Sequence, residues 1–426
     1  MRVLVVGGGG REHALAWRLA QSPLVEALLV APGNAGIASV ARCVPVPPDD
    51  LQGIVSLVER ERIDITVVGP EGPLVAGLAD ELAVRGHTVF GPSAASARIE
   101  GSKAWAKELM IRHGIPTARA GVFTAVEPAV AFVDELGGGA VIKADGLAAG
   151  KGVTVAADRS QAVAALEDAL VRGAFGQAGT TVLVEEVMEG PEVSAFAVCD
   201  ANTLIPLELS QDFKRVGDGD SGPNTGGMGA FSPVPSVGFE MEGRIWEEAV
   251  IPAFRALREE GPGYRGVLYA GLMLTADGPR VVEFNCRFGD PEAEALIPRL
   301  RTDLAELLMA CATDRLADVK VTWLDDAAVT VVIASGGYPG AYETGVEILG
   351  LPEAAAVESV SVFHAGTTKR DDRVVTAGGR VLAVSALGPT LSDARARAYE
   401  ACERLSFEGM QYRSDIAEAA AEGEST

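Results

Sequence analysis

The chain has 426 residues, enough for about two to four domains, and its 48% hydrophobic content predicts a globular protein with an ample core. The formal net charge is −23, with 36 lysines and arginines against 59 acidic residues. Because such a chain repels polyanions and has no run of basic residues, nucleic acid is not expected among its partners.

The cysteines and the chain start indicate the compartment. The five cysteines are scattered and form no Cys-x-x-Cys pair, which predicts a reduced, cytoplasmic protein. The four histidines include no His-x-x-x-His pair, so a zinc site is not expected. We find neither a signal peptide pattern nor an apolar stretch long enough to cross a bilayer, and expect no membrane association.

Residues 1–102 predict a doubly wound parallel sheet of the α/β class. An apolar strand at 3–6 is followed by four glycines and a helix over about 12–21. This strand, turn and helix open a typical α/β unit, and strands and helices continue to alternate after it. The later strands are predicted at 27–30, 65–68 and 88–90, and the later helices near 51–60 and 74–84.

The glycine turn does not fit a dinucleotide-binding fingerprint. The third glycine of Gly-x-Gly-x-x-Gly would fall at Glu12, and no acidic residue ends the second strand. Gly9 and Gly10, with Arg11 beside them, suit instead a phosphate cradle at a helix N-terminus.

Two further loops lie at the same predicted sheet edge. The loop with Asn34 and Gly36 follows the second strand, and the loop ending at Glu71 follows the third. Taken singly, these residues are better explained by ordinary turn chemistry. Three such loops at the carboxyl ends of parallel strands, where ligands bind, favour a ligand site.

Lysine is scarce, so its placement is informative. Lys103 follows Ser102, the predicted N-cap of a helix over 103–113, and Lys143 ends a strand at 140–143. A glycine-rich loop at 145–152 then contains Gly146, Gly150, Lys151 and Gly152. Such a loop lets backbone N–H groups approach phosphates while lysines neutralise them. It is not a Walker A loop, since glycine follows the lysine, and taken alone it also fits an ordinary glycine-rich hairpin.

Two more stretches carry candidate polar groups. The strand predicted at 181–187 ends in acidic residues. Its main chain could bind an adenine edge, and Glu185, Glu186 or Glu192 could accept ribose hydroxyls. A strand end with solvated charges explains the same pattern equally well. Residues 211–235 are the longest stretch without predicted secondary structure. Loops of this length are functional lids or disordered linkers, and Lys214 in a lysine-poor chain favours a functional loop.

A helix is predicted at 239–258, followed by strands at 266–275 and 280–286. Glu283, Asn285 and Arg287 share one face of the last strand. A carboxylate and an amide oxygen are hard ligands of the kind that Mg²⁺ takes beside phosphates, although Glu-x-Asn alone fits a decorated strand edge. Asp290 is predicted as the N-cap of the next helix, with Pro291 at its first position.

Residues 319–426 predict a small mixed β/α domain. Its strands are expected at 327–335, 360–363, 373–376 and 380–386, and its helix at 391–405. His364, alone near a strand end, is expected to be structural.

Eight motifs together resemble the glycinamide ribonucleotide synthetase family, the phosphoribosylamine–glycine ligases of the ATP-grasp superfamily. They cover nearly the whole chain, and Arg-Phe-Gly-Asp-Pro-Glu is close to a signature of that family. The motifs are Gly7-Gly-Gly-Gly-Arg-Glu-His-Ala14, Ala31-Pro-Gly-Asn-Ala-Gly36, Val68-Gly-Pro-Glu71, Gly101-Ser-Lys103, Ile142-Lys-Ala-Asp-Gly-Leu-Ala-Ala-Gly-Lys-Gly152, Gln211-Asp-x-Lys-Arg-Val216, Gly222-Pro-Asn-Thr-Gly-Gly-Met-Gly229 and Arg287-Phe-Gly-Asp-Pro-Glu292.

The resemblance implies a multidomain α/β and α+β fold. An N-terminal domain at 1–102 would bind phosphoribosylamine, an ATP-grasp domain at 103–318 would carry an inserted lid lobe at about 119–190, and a small mixed β/α domain would span 319–426. It also implies ATP, glycine and 5-phosphoribosylamine as substrates in purine synthesis, with Mg²⁺ or Mn²⁺ as cofactor. We expect a monomer or a weak homodimer.

The resemblance assigns roles to residues at matching positions. Those for ATP are Lys103, Lys143, Gly146, Gly150, Lys151, Gly152, Glu185, Glu186, Val187 and Glu192. Those for phosphoribosylamine are Gly9, Gly10, Arg11, Asn34, Gly36 and Glu71. Those around glycine and the transferring phosphoryl group are Asp212, Lys214, Arg287 and Asp290, with the loop residues Asn224, Gly226 and Gly227. The metal would bind Glu283 and Asn285, and one firmly held metal is expected because the preceding strand carries no acid.

Two other functions stay open on the sequence. One is a different ATP-grasp carboxylate–amine ligase of purine synthesis, against which the Arg-Phe-Gly-Asp-Pro-Glu stretch argues. The other is an ATP-binding module without catalysis, which the presence of Lys143, Glu283 and Asn285 disfavours.

Overall fold

The structure is a computed structural model that describes residues 1–147 and 152–423. A parallel five-stranded sheet opens the chain, in the order β3-β2-β1-β4-β5. The strands are β1 (Arg2–Gly7), β2 (Ala27–Pro32), β3 (Arg42–Cys43), β4 (Ile65–Val68) and β5 (Val89–Phe90). Buried Val and Leu side chains fill β1, and Ile, Thr and Val fill β4, as expected for a sheet covered on both faces. The doubly wound prediction is confirmed.

Six helices accompany or follow this sheet. They are α1 (Gly10–Leu19), α2 (Leu51–Glu61), α3 (Glu71–Val75), α4 (Leu78–Val84), α5 (Ala94–Gly101) and α6 (Lys103–Arg112). The single helix predicted at 74–84 is wrong, because the chain breaks at Gly77 with φ of +90°, a left-handed conformation that glycine tolerates. The Ser102 cap is confirmed, since its hydroxyl accepts the Trp105 N–H.

A four-stranded antiparallel sheet, which we call the lid sheet, has the order β6-β9-β7-β8. Its strands are β6 (Ala120–Phe123), β7 (Ala140–Ala144), β8 (Val153–Ala156) and β9 (Val182–Glu185), with α7 (Val126–Glu135) and α8 (Arg159–Leu170). The two helices bury apolar side chains against the sheet in a small separate core. The lid sheet is therefore a lobe with its own packing.

A second antiparallel sheet, in the order β11-β10-β16-β17, faces the lid sheet. Its strands are β10 (Glu192–Cys199), β11 (Leu204–Pro206), β16 (Gly266–Thr275) and β17 (Gly278–Asn285). The predicted strands at 266–275 and 280–286 are confirmed. The helix predicted at 239–258 is confirmed as α9 (Phe239–Arg244), a π-helical stretch (Ile245–Val250) and α10 (Ile251–Glu260).

Residues 211–235 are not the structureless run that their composition suggests. They form β12 (Gln211–Asp212), β13 (Arg215–Gly217), β14 (Ser221–Asn224) and β15 (Gly229–Ser232). The strands β13 and β14 pair with each other, and β15 pairs with β12 and with a later strand. Glycine, aspartate and proline are depleted in strands, so the composition of this stretch did not indicate them.

The remaining elements complete the fold. They are α11 (Glu292–Arg299), α12 (Leu304–Ala312), β18 (Ala327–Ala334), α13 (Leu351–Ala355), β19 (Val360–His364), β20 (Thr367–Arg370), β21 (Arg373–Thr376), β22 (Arg380–Gly388), α14 (Leu391–Glu403) and α15 (Glu418–Gly423). A sheet in the order β12-β15-β18-β22-β19 joins strands from both sides of residue 318. Within the described part of the chain, no helix is both long and apolar enough to span a bilayer.

Candidate active site

A cleft of about 590 Å³ lies between the lid sheet, the strand β17, the edge of the parallel sheet and a turn at 336–342. Many of the predicted site residues line it. They are Arg11, Glu71, Lys103, Lys143, Gly152, Glu185, Asp212, Lys214, Gly226, Glu283, Asn285, Arg287 and Asp290.

Other predicted site residues are not part of this lining. These are Gly9, Gly10, Asn34, Gly36, Gly146, Glu186, Val187, Glu192, Asn224 and Gly227. Gly150 and Lys151 fall outside the described residues. The cleft therefore unites the lysines, the Glu-x-Asn pair and the arginine, while several glycines shape the backbone around it.

The row on β17 forms the middle of the cleft, as its alternation predicted. Arg287 Nη2 donates to Asn285 Oδ1 over 3.2 Å. Burial alone would raise the pKa of the Glu283 carboxyl, but the nearby lysines and Arg287 hold it below its usual value. The row therefore presents an ionised carboxylate and an amide oxygen to the cleft.

These two oxygens fit a nucleotide-bound divalent cation. Among the described residues, no group of three or more His, Cys, Asp or Glu side chains could hold a metal without other ligands. A hard cation here would complete its shell with phosphate oxygens and water, which is the way Mg²⁺ is usually held. Glu283 and Asn285 would be its protein ligands.

Lysines surround the end of the cleft that lies beside the lid sheet. Lys103 Nζ donates to the Gly146 carbonyl over 2.9 Å, which ties α6 to the start of the glycine-rich loop. Lys143 is 4% exposed and pairs with Glu185 over 2.6 Å. Burial would raise the pKa of the Glu185 carboxyl, yet Lys143 and Lys107 hold it low. The Glu185 side chain is thus committed to lysines.

The other acids of this region are also engaged. Glu186 Oε1 accepts from the Arg119 N–H over 2.9 Å and from Arg280 Nη1 over 3.1 Å. Glu192 pairs with Lys214. The sequence predicted that these two acids accept ribose hydroxyls. In the structure both carboxylates instead contact protein groups, those of Arg119, Arg280 and Lys214.

A half-buried acid–lysine cluster lies beside Glu283. Lys214 Nζ is 3.1 Å from Asp212 Oδ1. Burial raises the pKa of Asp212 to about 6, although Lys214 opposes this. Tyr269 Oη donates to Glu292 Oε1 over 2.7 Å at the edge of the same cluster. Neither Tyr269 nor Glu292 had been assigned to the site, although Glu292 ends the Arg-Phe-Gly-Asp-Pro-Glu motif; Tyr269 belongs to no motif.

Arg287 is held by two carboxylates of the N-terminal helices. Its Nη2 lies 3.0 Å from Glu100 Oε1, and its Nε lies 3.4 Å from Glu71 Oε2. Glu100 also accepts the Cys286 N–H over 2.7 Å. Sequence reasoning missed Glu100, a lone acid on α5 with no spacing signal. Glu71, predicted at the acceptor end, lies in the cleft as an Arg287 partner.

The glycine turn before α1 is organised by Glu12. Its carboxylate accepts the Gly9 N–H over 2.7 Å and the Arg11 Nε–H over 2.6 Å. A Cβ at Gly69 would lie 2.1 Å from Glu12 Oε1, so glycine there makes room for the carboxylate. Glu12, which stands where the dinucleotide-binding fingerprint requires glycine, thus caps the helix and orients Arg11 toward the cleft.

The Asn34 side chain links two parts of the fold, the N-terminal parallel sheet and the strand β19. Its Nδ2 donates to the Gly8 and His364 carbonyls over 3.0 and 2.6 Å, and its Oδ1 accepts the N–H groups of Gly36 and Ile37. The side chain therefore joins the parallel sheet to β19. His364 itself is buried and donates its N–H to His13 Nδ1 over 2.7 Å.

The prediction that Asp290 caps α11 is wrong. The helix begins at Glu292 with Pro291 before it and no side-chain cap. The Asp290 carboxylate instead pairs with Arg380, whose Nη1 lies 3.1 Å away. The backbone conformation at Pro291 removes the capping geometry and turns the carboxylate toward the C-terminal part of the chain.

Arg380 and Tyr338 hold the glycine loop at the cleft. Arg380 Nη1 donates to the Gly226 carbonyl over 2.6 Å, and Tyr338 Oη accepts the Gly226 N–H over 3.0 Å. A Cβ at Gly227, where φ is +110°, would lie 2.4 Å from Pro291 Cδ. The C-terminal residues therefore complete one wall of the site.

Two facing sheets, a lysine-lined cleft between them and a Glu-x-Asn pair on β17 define an ATP-grasp protein. The chain matches the three parts of phosphoribosylglycinamide synthetase: the N domain over residues 1–100, the ATP-grasp (A) domain over 101–293 and the C domain over 328–419. The chain belongs to the phosphoribosylglycinamide synthetase family.

Individual relatives agree with this placement. The chain is 51% identical over 416 residues to a phosphoribosylamine–glycine ligase of Rhizobium meliloti, covering 98% of both chains. A crystal structure of the phosphoribosylamine–glycine ligase of Thermotoga maritima matches with a TM-score of 0.83 and 34% identity, over 98% of this chain and 100% of that one. The biotin carboxylase domain of Hydrogenobacter thermophilus 2-oxoglutarate carboxylase, solved with MgADP, shares the fold at 19% identity with a TM-score of 0.73, over 96% and 91% of the two chains.

Proposed function

We propose that this protein ligates glycine to 5-phosphoribosylamine at the expense of ATP, giving glycinamide ribonucleotide, ADP and phosphate in purine biosynthesis. The observation that carries the proposal is the order of groups along one cleft. Lys103 and Lys143 line the cleft beside the lid sheet, and Lys143 donates to the Val282 carbonyl next to Glu283. Asn285 follows on the same strand and accepts from Arg287, which pairs on its other side with Glu71 and Glu100. This order suits a triphosphate whose γ-phosphoryl group meets a carboxylate substrate.

The first step requires positioning and charge neutralisation. The glycine carboxylate is already an anion at neutral pH, so its attack on the γ-phosphorus needs no general base. Lys214 and Arg287 neutralise the charge that gathers on the transferring group, and Asp212 offers a carboxylate to the glycine ammonium. A bound divalent cation, Mg²⁺ or Mn²⁺ on Glu283 and Asn285, adds Lewis-acid stabilisation of the phosphates.

The product of this step is glycyl phosphate, which water destroys. The amine of phosphoribosylamine then attacks the acyl carbon, and the C–O bond to phosphate breaks. The glycine-rich turn of the lid sheet, with Gly152 in the cleft lining, is suited to cover the triphosphate and exclude water. The turn before α1, with Arg11, and the residues Glu71 and Asp290 receive the acceptor.

The compartment and the assembly form part of the same proposal. All five cysteines are free thiols, which supports a reducing, cytoplasmic location. We expect the protein to act as a monomer or a weak homodimer, because one chain supplies every group in the proposed cleft.

One assay tests the proposal against its alternatives. ADP release is measured with Mg-ATP and freshly prepared phosphoribosylamine, with glycine, bicarbonate or formate as the carboxylate. We expect release with glycine alone among the three. Release with bicarbonate or formate instead would favour another ligase of the superfamily, and nucleotide binding without turnover would favour a binding module.

A further inference from the structure

A buried set of charges lies where the chain enters and leaves the lid sheet. Lys107, on α6, is 2% exposed, and its Nζ lies 2.6 Å from Oε1 of Glu185 at the end of β9. The second oxygen of Glu185 lies 2.6 Å from Nζ of Lys143 on β7. One buried carboxylate therefore connects an ammonium group outside the lid sheet to one inside it.

Lys107 also contacts the segment that leads into the lid sheet. Its Nζ donates to Thr117 Oγ1 over 2.5 Å and to the Ala118 carbonyl over 3.3 Å. Thr117 Oγ1 in turn donates to the Val281 carbonyl over 2.7 Å. The entry segment is thus fastened to β17, the strand that carries Glu283.

The lid strand β7 is fastened to the same strand. Lys143 Nζ donates to the Val282 carbonyl over 2.9 Å, next to the carbonyl that Thr117 contacts. The lid strands β7 and β9 and the entry segment therefore meet β17 through one connected set of side chains. Lys107 joins the two routes to β17, because it contacts both Glu185 and Thr117.

The charges within this set depend on one another. Burial lowers the pKa of Lys107, and the neighbouring Glu185 carboxylate opposes that shift. Removing the ammonium group would leave Glu185 buried with a single cationic partner, and a buried charge that loses a partner is strongly destabilised. The side chains around Glu185 would then shift, and the position of Lys143 would change with them.

Building on the proposed function, we propose that Lys107 is a positioning residue for the nucleotide. It sets the lid sheet against β17 so that Lys143 and the main chain after β9 stand at the distances that ATP requires. Lys107 does not itself act in the reaction at the glycine end. Its loss should therefore weaken nucleotide binding more than it affects glycine.

The test measures ADP binding by calorimetry in the full-length protein, without glycine or acceptor. We expect Lys107→Met to bind ADP at least about fivefold more weakly than wild type, the lower end of usual coupling strengths, while the KM for glycine stays unchanged. Lys320→Met, at an exposed lysine, is the matched control and should bind ADP like wild type. Unchanged ADP affinity in Lys107→Met would overturn the proposal.

Two further variants separate positioning from general stability. Lys107→Met/Glu185→Gln removes the Lys107 and Glu185 charges but leaves the buried Lys143 ammonium without its carboxylate partner, so it should not regain ADP affinity; wild-type ADP affinity in this double variant would overturn the proposal. Thr117→Val keeps the Lys107–Glu185 pair and removes the bond to Val281, so it provides the test if Lys107→Met does not fold. Wild-type ADP affinity in Thr117→Val would contradict the proposed link. Because binding is measured without turnover, a wild-type protein that binds ADP but forms no product would count against the proposed function alone.

Discussion

A buried histidine pair should make the stability of the protein strongly dependent on pH. His13 on α1 and His364 on β19 are 5% and 9% exposed, and their rings lie 5.6 Å apart. Burial, together with the charge of His364, lowers the pKa of His13 from 6.5 to about 3, and burial lowers that of His364 to about 4. The bond from the His364 N–H also requires an unprotonated His13 Nδ1.

The sign and size of the effect follow from proton linkage. Both histidines have lowered pKa values in the fold, so the unfolded chain binds more protons below pH 6.5, and stability falls with pH between 6.5 and the folded values. Each pH unit in that window costs about 1.4 kcal/mol per histidine. Between pH 8 and pH 5 each histidine costs about 2 kcal/mol, so the pair removes about 4 kcal/mol from the free energy of unfolding.

The assay is urea unfolding at pH 8 and pH 5, with wild type compared to His13→Asn/His364→Asn. Asparagine keeps an acceptor near each Nδ1 but cannot become charged. Between pH 8 and pH 5, the free energy of unfolding of the double variant should fall by about 4 kcal/mol less than that of wild type. Groups common to both proteins, such as Asp212, cancel in the difference. An equal pH dependence in wild type and the double variant would refute the reasoning, and His87→Asn, outside this pair, should behave like wild type.

Three substitutions test the cleft itself. Glu283→Gln should abolish ADP release while circular dichroism stays unchanged, because the amide cannot supply the anionic metal ligand; a fully active variant would disprove that assignment. Glu100→Gln keeps an acceptor for the main chain but removes a charge from Arg287, so kcat/KM for glycine should fall about tenfold, equivalent to about 1.4 kcal/mol. Gly227→Ala adds a Cβ at φ of +110°, 2.4 Å from Pro291 Cδ, and should lower kcat and Tm together.

Controls for these variants are available in the same chain. Gly243→Ala, in α9, adds a Cβ with nothing within 4 Å and should leave kcat and Tm near wild type. Glu240→Gln, at an exposed acid of the same helix, matches the Glu100 change and should not alter kcat/KM. Activity in Glu100→Gln equal to that of wild type would show that Glu71 alone orients Arg287.

The sequence predicted those features whose signal is local. Apolar strands before glycine turns located the parallel sheet, and the scarcity of lysine drew attention to Lys103, Lys143 and Lys214. Alternation along a strand placed Glu283 and Asn285 on one face. Each of these inferences depends on residues close together in the chain, so a pattern could reveal them.

The missed features depend on contacts across the fold. Glu100 and Lys107 are single charged residues on helices. Only the packing of α5 beside the end of β17 and of α6 beside the end of β9 gives them partners. Arg380 lies 90 residues after Asp290, so their pairing carries no spacing signal. Asp290 does not cap α11 because the helix begins after Pro291, and its carboxylate pairs with Arg380.

The predicted reaction path leaves a label that can be measured directly. If glycine attacks the γ-phosphorus of ATP and the acceptor amine then displaces phosphate from the acyl carbon, one carboxylate oxygen of glycine passes to inorganic phosphate. With glycine labelled by ¹⁸O at both carboxylate oxygens, mass spectrometry should find one ¹⁸O in each phosphate released. Phosphate free of ¹⁸O, formed together with glycinamide ribonucleotide, would contradict the glycyl phosphate path.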